Sequence, residues 1–344
     1  MYTVGHTRIM GIGTFLPDHV VTSRELLEQI DSKNRFNIPP DWLERTTGIG
    51  TRYVAPIGMP PSQMATRAAI EALDRAHVLA TEIDVIVYAG VNRDYIEPAT
   101  AHIVQHNIGA RNAVVFDVTN ACHGFMNGLH LVDALIATGQ ARRGLVVTGE
   151  QGSRAMRRAV ELLSKTTDRE KFVALAGGLT VGDAGAAIIV GPKQSPESGF
   201  MGFMLASRGE HSQLCVCHFE GEADTEVALR TDMPNIVKEH VRMHAEMFGS
   251  FMRKLGWEAA QIQRFVHHQV GLRVFKLHAA YSGIPTHRMT NTVTTHGNLI
   301  SASIPLNLRK LQDKQDVNPG DRVFISGSGS GLSVSQAGLV WEAA

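Results

Sequence analysis

The sequence predicts an α/β protein, and three observations carry the prediction. Short β-branched runs alternate with longer helix-compatible stretches through all 344 residues. The strand-like runs are continuously apolar, as in a sheet covered on both faces. A layout of loop, amphipathic stretch and strand recurs in both halves of the chain, which points to a duplicated unit. Taken in order, Met64, Ala68, Leu73 and Ala76 lie in a helix-compatible stretch, and 84–90 reads as a buried strand ended by Gly90. Phe125, Leu129, Val132 and Ile136 give one apolar face to the stretch after Cys122. Residues 145–149 and 186–191 read as further strands. The segment from Gly191 to Gly199 is the best boundary, dividing the chain into 1–191 and 199–344. Beyond it, 264–269 reads as a strand running into a polar loop. Ile304, Leu306, Leu308 and Leu311 fall in a helix-like stretch, and 322–327 reads as a strand. From Cys122 and from Asn298 alike, the next strand lies about 25 residues on.

Composition excludes several classes. Lys+Arg and Asp+Glu balance at 33 each, so no overall field recruits nucleic acid or an anionic membrane. Hydrophobic residues at 44% and charged residues at 19% describe an ordinary globular chain. The three cysteines are too few for a disulfide framework, and no second cysteine pair joins Cys215 and Cys217 in a zinc site. No metal is expected, and a reduced, cytoplasmic setting fits. The first residues lack the basic and apolar regions of a signal peptide, and no apolar run reaches the roughly 20 residues of a membrane span.

Cys122 precedes an amphipathic stretch, where helix N–H groups and dipole favour a thiolate. Gly124 and Gly128 are expected to leave room there for a substrate. The alternative for a lone cysteine is a buried packing role. His268 stands at the end of a strand, well placed to enter a cleft, although 16 histidines make any one of them ordinary by itself. Asn298, in Thr295-His296-Gly297-Asn298, again precedes a helix. Cys, His and Asn together can activate a sulfur nucleophile, move a proton and hold a thioester oxygen. The run 326–332, SGSGSGL, is expected to be a glycine-rich loop packing its backbone against an active site. It lacks the Lys-Ser/Thr of a phosphate-binding loop and the following βαβ unit of a dinucleotide site.

These motifs resemble the ketoacyl synthase III family. Asn120-Ala121-Cys122, His268-Gln269, the run 296–305 (HGNLISASIP) and the run 327–332 (GSGSGL) occur in that family's order and spacing. The runs 42–49 (WLERTTGI) and 182–187 (GDAGAA) are similar to it as well, so the resemblance covers essentially the whole chain. It implies a thiolase fold: two pseudo-duplicated α/β halves in an α-β-α-β-α layering, the first carrying the cysteine and the second the His and Asn. It also implies a homodimer, a Cys122–His268–Asn298 triad, and an oxyanion hole from the backbone N–H groups of Cys122 and Ser330. No cofactor is implied; coenzyme A or acyl-carrier-protein thioesters are the substrates.

The run 92–100 (NRDYIEPAT) resembles a narrower branch, the olefin-pathway enzymes that join two acyl-CoA molecules head to head. Leu214-Cys215 and Thr231-Asp232 are similar to that branch too. Those enzymes carry a glutamate in this segment that reaches the partner subunit's active site as a base; Glu97 matches it. The chemistry calls for such a group. Decarboxylation generates a carbanion from a malonyl thioester, whereas an unactivated acyl chain needs its α-proton removed. The alternative for Glu97 is a carboxylate favoured by a helix N-terminus beside Pro98.

The expected reaction is therefore Claisen condensation of a Cys122-bound acyl group with a second acyl thioester. Condensation using malonyl carrier protein, a non-condensing acyl transfer, thioester hydrolysis and a non-catalytic subunit of a heterodimeric synthase stay open. Trp42, Arg45 and Arg154 are candidate substrate contacts. Arg45 stands one place from the family's basic residue, and Arg154, Arg157 and Arg158 equally suit a solvated helix face. His123 replaces the family's small or apolar residue and is expected to reshape the acyl channel. The channel walls are expected from side chains between His102 and Met204.

Overall fold

A computed structural model describes residues 1–217 and 229–342. Two five-stranded sheets form its frame. The first runs in the order β2 (Thr7–Phe15), β8 (Asp183–Pro192), β7 (Gly144–Gln151), β5 (Val85–Tyr88) and β6 (Val114–Asp117). The second runs β1 (Tyr2–Val4), β9 (Gly199–Ser207), β14 (Ser333–Val340), β13 (Arg322–Gly329) and β12 (Arg264–His267). Two hairpins stand apart from them: β3 (His19–Thr22) with β4 (Thr51–Val54), and β10 (Cys215–Cys217) with β11 (Leu229–Thr231).

The sheets share one pairing pattern. β2–β8 and β8–β7 are antiparallel and β7–β5 is parallel. Correspondingly, β9–β14 and β14–β13 are antiparallel and β13–β12 is parallel. The segment between β8 and β9 joins the sheets, and β1 crosses over to pair with β9. The helices Gly124–Ala137 and Ser303–Asp313 lie between them. Phe125, Leu129, Val132, Ile304, Leu308 and Leu311 share one core with Val146 and Ile188 of the first sheet and Phe203 and Ile325 of the second. The helices Pro61–Ala76 and Thr100–Ile108 cover the outer face of the first sheet, and Met233–Leu255 and Arg273–Ser282 that of the second. The result is the α-β-α-β-α layering.

Small residues allow the closest of these contacts. Pro61–Ala76 presents Ala65, Ala68, Ala69 and Ala72 to the sheet. A Cβ at Gly13 would sit 2.0 Å from the Ala68 carbonyl oxygen, so only glycine fits opposite. Gly124 and Gly128 do similar work, which corrects the expectation that they make room for substrate. A Cβ at Gly128 would lie 2.7 Å from Val146, and one at Gly124 would lie 2.6 Å from the Ala89 carbonyl oxygen. They seat the central helix on the first sheet. Among the described residues no helix is long and apolar enough to cross a membrane.

Candidate active site

Both central helices begin at the same edge of the molecule, and the turns that feed them carry Cys122 and Asn298. The chain leaves β6 and turns through Ala121, which adopts a left-handed φ of 48°. Such a conformation costs a non-glycine residue roughly 1–2 kcal/mol. The turn is held by His123 N–H donating to Asn120 O and Gly124 N–H donating to Ala121 O, each at 3.0 Å. Cys122 thus stands one residue ahead of the helix cap at His123.

Asn298 is pinned from both sides. Its N–H donates to Thr180 O at 2.9 Å, and its carbonyl accepts from Gly182 N–H at 3.0 Å. Its side-chain Oδ1 accepts from Ile300 N–H at 2.9 Å. The side-chain NH2 has no protein partner among the described residues, which leaves a donor for a thioester oxygen. His268 follows the last residue of β12, its N–H bonded to Ser326 O at 3.0 Å. The next residue, Gln269, ties this strand end to the Asn298 turn. Its Oε1 accepts from Thr292 and Val293 N–H at 3.0 and 3.1 Å, and its Nε2 donates to Thr290 O at 2.7 Å.

The glycine-rich run is not a loop, as the sequence suggests, but the end of β13 and its tight return to β14. It does pack against the turn that carries Cys122. A Cβ at Gly329 would lie 2.7 Å from His123 N and 3.0 Å from Asn120 O. Cys122, His268, Asn298, Gly329 and Ser330 accordingly line one cavity of about 200 Å³.

Burial dominates the electrostatics. It pushes the Cys122 thiol well above its ordinary value, with Cys215 and Glu150 adding to the shift. It holds His268 down at about 3, assisted by His240, His267 and His123 nearby. At neutral pH the resting pair is thiol and neutral imidazole, and the imidazole is free to accept a proton. Glu150, fully buried on β7, is pushed up to about 7 by desolvation. It accepts from Val91 N–H at 3.0 Å and from Ser301 Oγ at 2.5 Å, joining the segment that leads to Glu97 to the segment after Asn298.

Other expected site residues lie elsewhere. Trp42 packs edge-on against Phe172 at 5.4 Å in a side core, and Arg45 is exposed and paired with Asp41 at 3.5 Å. Arg154 is exposed, but its helix neighbours Gly152 and Ala155 line the cavity. His123 does not shape the cavity. It is 1% exposed, bonds through Nδ1 to Asn127 Oδ1 at 2.8 Å, and packs beneath the end of β13. Glu97 is exposed and off the cavity wall. The helix N-terminus it was an alternative candidate to serve is held by Asp117, whose carboxylate accepts from Thr100 and Ala101 N–H at 2.9 Å each.

The expectation that the walls come from 102–204 also needs correction. Much of the wall comes from the β10–β11 hairpin and the helices Met233–Leu255 and Arg273–Ser282, including His240, His244 and His278. The sequence does carry a sign of this: Ile236, His240 and His244 recur every fourth residue on one helix face. Cys215 and Cys217 stand on that hairpin and also line the cavity.

Residues 116–209 match the model of 3-oxoacyl-[acyl-carrier-protein] synthase III, and residues 252–341 match that of its C-terminal part. A β-ketoacyl-[acyl-carrier-protein] synthase III from Bordetella petrii is 31% identical over 94% of this chain and 95% of its own. The chain belongs to the 3-oxoacyl-[acyl-carrier-protein] synthase III family. An acyl-CoA:acyl-CoA alkyltransferase of Xanthomonas campestris is 30% identical over 97% of this chain and 98% of its own. The cerulenin-bound structure of Xanthomonas campestris OleA superposes with a TM-score of 0.91 at 29% identity, covering 98% of each chain. A cysteine-to-serine variant of OleA, solved with lauric acid and lauroyl-CoA, has the same TM-score at 28% identity, covering 98% of this chain and 100% of that one. As a member of the synthase III family with this thiolase fold, the protein is an acyltransferase of the condensing type.

Proposed function

We propose that the enzyme joins two acyl-CoA molecules without decarboxylation, using Cys122, His268, Asn298 and a Glu97 supplied across a homodimer. Cys122 Sγ attacks the first thioester carbon while its proton passes to His268, and the coenzyme A sulfur leaves and takes that proton. The tetrahedral oxyanion sits at the backbone N–H groups of Cys122 and Ser330. The second acyl-CoA enters with its carbonyl oxygen at His268 and the Asn298 NH2. The Glu97 carboxylate removes its α-proton, and the resulting enolate attacks the Cys122-bound carbonyl. The Cys122 sulfur leaves and a β-ketoacyl thioester is released. Arg154, beside the cavity-lining Gly152 and Ala155, suits a coenzyme A phosphate.

One observation carries the choice of base: the placement of the 91–98 segment. Glu97 is exposed and off the wall of its own cavity, the helix N-terminus beside it is held by Asp117, and its neighbours Tyr95 and Ile96 are 62% and 85% exposed. Large apolar side chains in that position suit a covered subunit interface rather than water. The Xanthomonas relative's name, acyl-CoA:acyl-CoA alkyltransferase, agrees with this chemistry.

Subunit mixing tests the reading. Cys122→Ala should accept no acyl group, and Glu97→Gln should be acylated but not condense two acyl-CoAs. A co-refolded mixture should regain about a quarter of native condensation, because half the dimers are mixed and each has one complete site. Absence of recovery would place Glu97 in its own chain's chemistry or outside it. Full condensation with a malonyl thioester by Glu97→Gln would favour a decarboxylative reaction instead.

A further inference from the structure

Three histidines on the cavity wall have no part in the acylation and condensation steps. His240 and His244 lie one turn apart on the helix Met233–Leu255, and His278 lies on Arg273–Ser282. Around them the wall is built of Ile236, Val237, Val241 and Val274, which is all that a plain alkyl chain requires. An imidazole placed in such a wall loses water and needs a partner to replace it.

The hydrogen bonds of these side chains leave two ring nitrogens open. His244 is engaged by Ser328 Oγ at 2.9 Å and Ser326 Oγ at 3.2 Å. His240 Nε2 lies 3.0 Å from the Gly329 carbonyl oxygen, and a carbonyl only accepts, so Nε2 carries the proton. Burial lowers the basicity of His240, leaving Nδ1 as a bare acceptor in the neutral ring. His278 is held by Tyr281 OH at 2.8 Å from its Nδ1 and by stacking on His267 at 4.5 Å between ring centroids. Among the described residues nothing bonds to His240 Nδ1 or His278 Nε2, and neither is sealed from solvent.

The anchor of His240 also sets its depth. Gly329 lies against the backbone of His123, the residue after the nucleophile, so His240 stands at the thioester end of the cavity. We propose that the acyl group carried by Cys122 bears a hydroxyl within its first few carbons, as a 3-hydroxyacyl thioester does, and that His240 Nδ1 accepts its hydrogen bond. The inference rests on the acyl-transfer reading above and adds the class of acyl donor to it. An unsubstituted chain offers Nδ1 no donor, and a site built around a substrate hydroxyl rejects analogues that lack one.

The test compares initial rates of Cys122 acylation by 3-hydroxyoctanoyl-CoA and octanoyl-CoA, read by intact-mass spectrometry. The hydroxylated donor should win by about tenfold or more. His240→Leu should reduce that preference to about twofold or less, while His240→Gln, which keeps both a donor and an acceptor, should retain most of it. Circular dichroism verifies that each variant is folded. Equal or faster acylation by octanoyl-CoA, or a preference that survives in folded His240→Leu, overturns the proposal and leaves the acyl-transfer reading standing. Failure of both donors to label Cys122 overturns the two together.

Discussion

Cys122 stands where a helix N-terminus favours a thiolate, yet burial pushes its thiol upward. The dipole contributes roughly 0.3–1 kcal/mol at an exposed site, whereas removing a charge from water costs several kcal/mol. Desolvation outweighs the dipole, and in the proposed mechanism the thiolate forms as its proton passes to His268, whose imidazole burial holds down at about 3. Alkylation by iodoacetamide should therefore climb with pH through 9 and beyond, without a plateau at neutral pH. A labelling rate for Cys122 already saturated at pH 7 would show that a thiolate–imidazolium pair pre-exists. Cys122, His268, Asn298 and Ser330 were legible in the sequence because each belongs to a local motif. His240 and His278 were not read as site residues: the spacing of Ile236, His240 and His244 marks a helix face, but no local pattern states where the outer helices dock.

At the scale of elements, the helix Thr100–Ile108 shows how a strand positions a segment that matters elsewhere. Asp117, the last residue of β6, binds the first two N–H groups of that helix and fixes the end of the segment holding Glu97. Replacing Asp117 with Ala removes both bonds and should lower the unfolding free energy by about 1–2 kcal/mol, as measured by urea denaturation. Condensation should fall further than Cys122 acylation, since in the proposed mechanism only condensation depends on Glu97. Equal losses in the two steps would separate Glu97 from the chemistry. The element types and most boundaries follow from periodicity. The extent of β13 does not: its glycines look like loop residues, and they are strand because β14 and the Cys122 turn press against them.

Across the whole molecule, buried histidines govern acid stability. His123, His267 and His296 are held at about 4 and His268 at about 3, while the same burial lowers His244 and His278 well below the ordinary histidine value. An unfolded histidine titrates near 6.5, so each group stabilises the fold above that pH. The contribution is lost as pH falls toward the folded value, at about 1.4 kcal/mol per group per pH unit. Glu150 acts in the opposite sense. Its folded carboxyl, raised to about 7, keeps a proton that an unfolded glutamate releases above about 4.5, so its stabilisation fades as pH rises through 7. The histidines outweigh Glu150 and Asp183, whose buried carboxyls are both raised, and would exhaust a typical stability of roughly 5–15 kcal/mol within about two pH units. Far-UV circular dichroism should show cooperative unfolding complete between about pH 6.5 and 4. A chain still folded at pH 4 would refute this account.

What the sequence determined by itself was the alternation of strand and helix, the duplicated loop–helix–strand units and the candidates Cys122, His268, Asn298 and Ser330 that meet on one cavity. Those are written in short-range periodicity and in motifs whose residues lie close together along the chain. The cavity's composition was decided by tertiary structure, because its walls meet from segments that lie far apart in sequence, from Val91 to Ser330. The resting protonation of Cys122 and His268 was decided there too, since desolvation depends on everything packed around a group rather than on its neighbours in sequence.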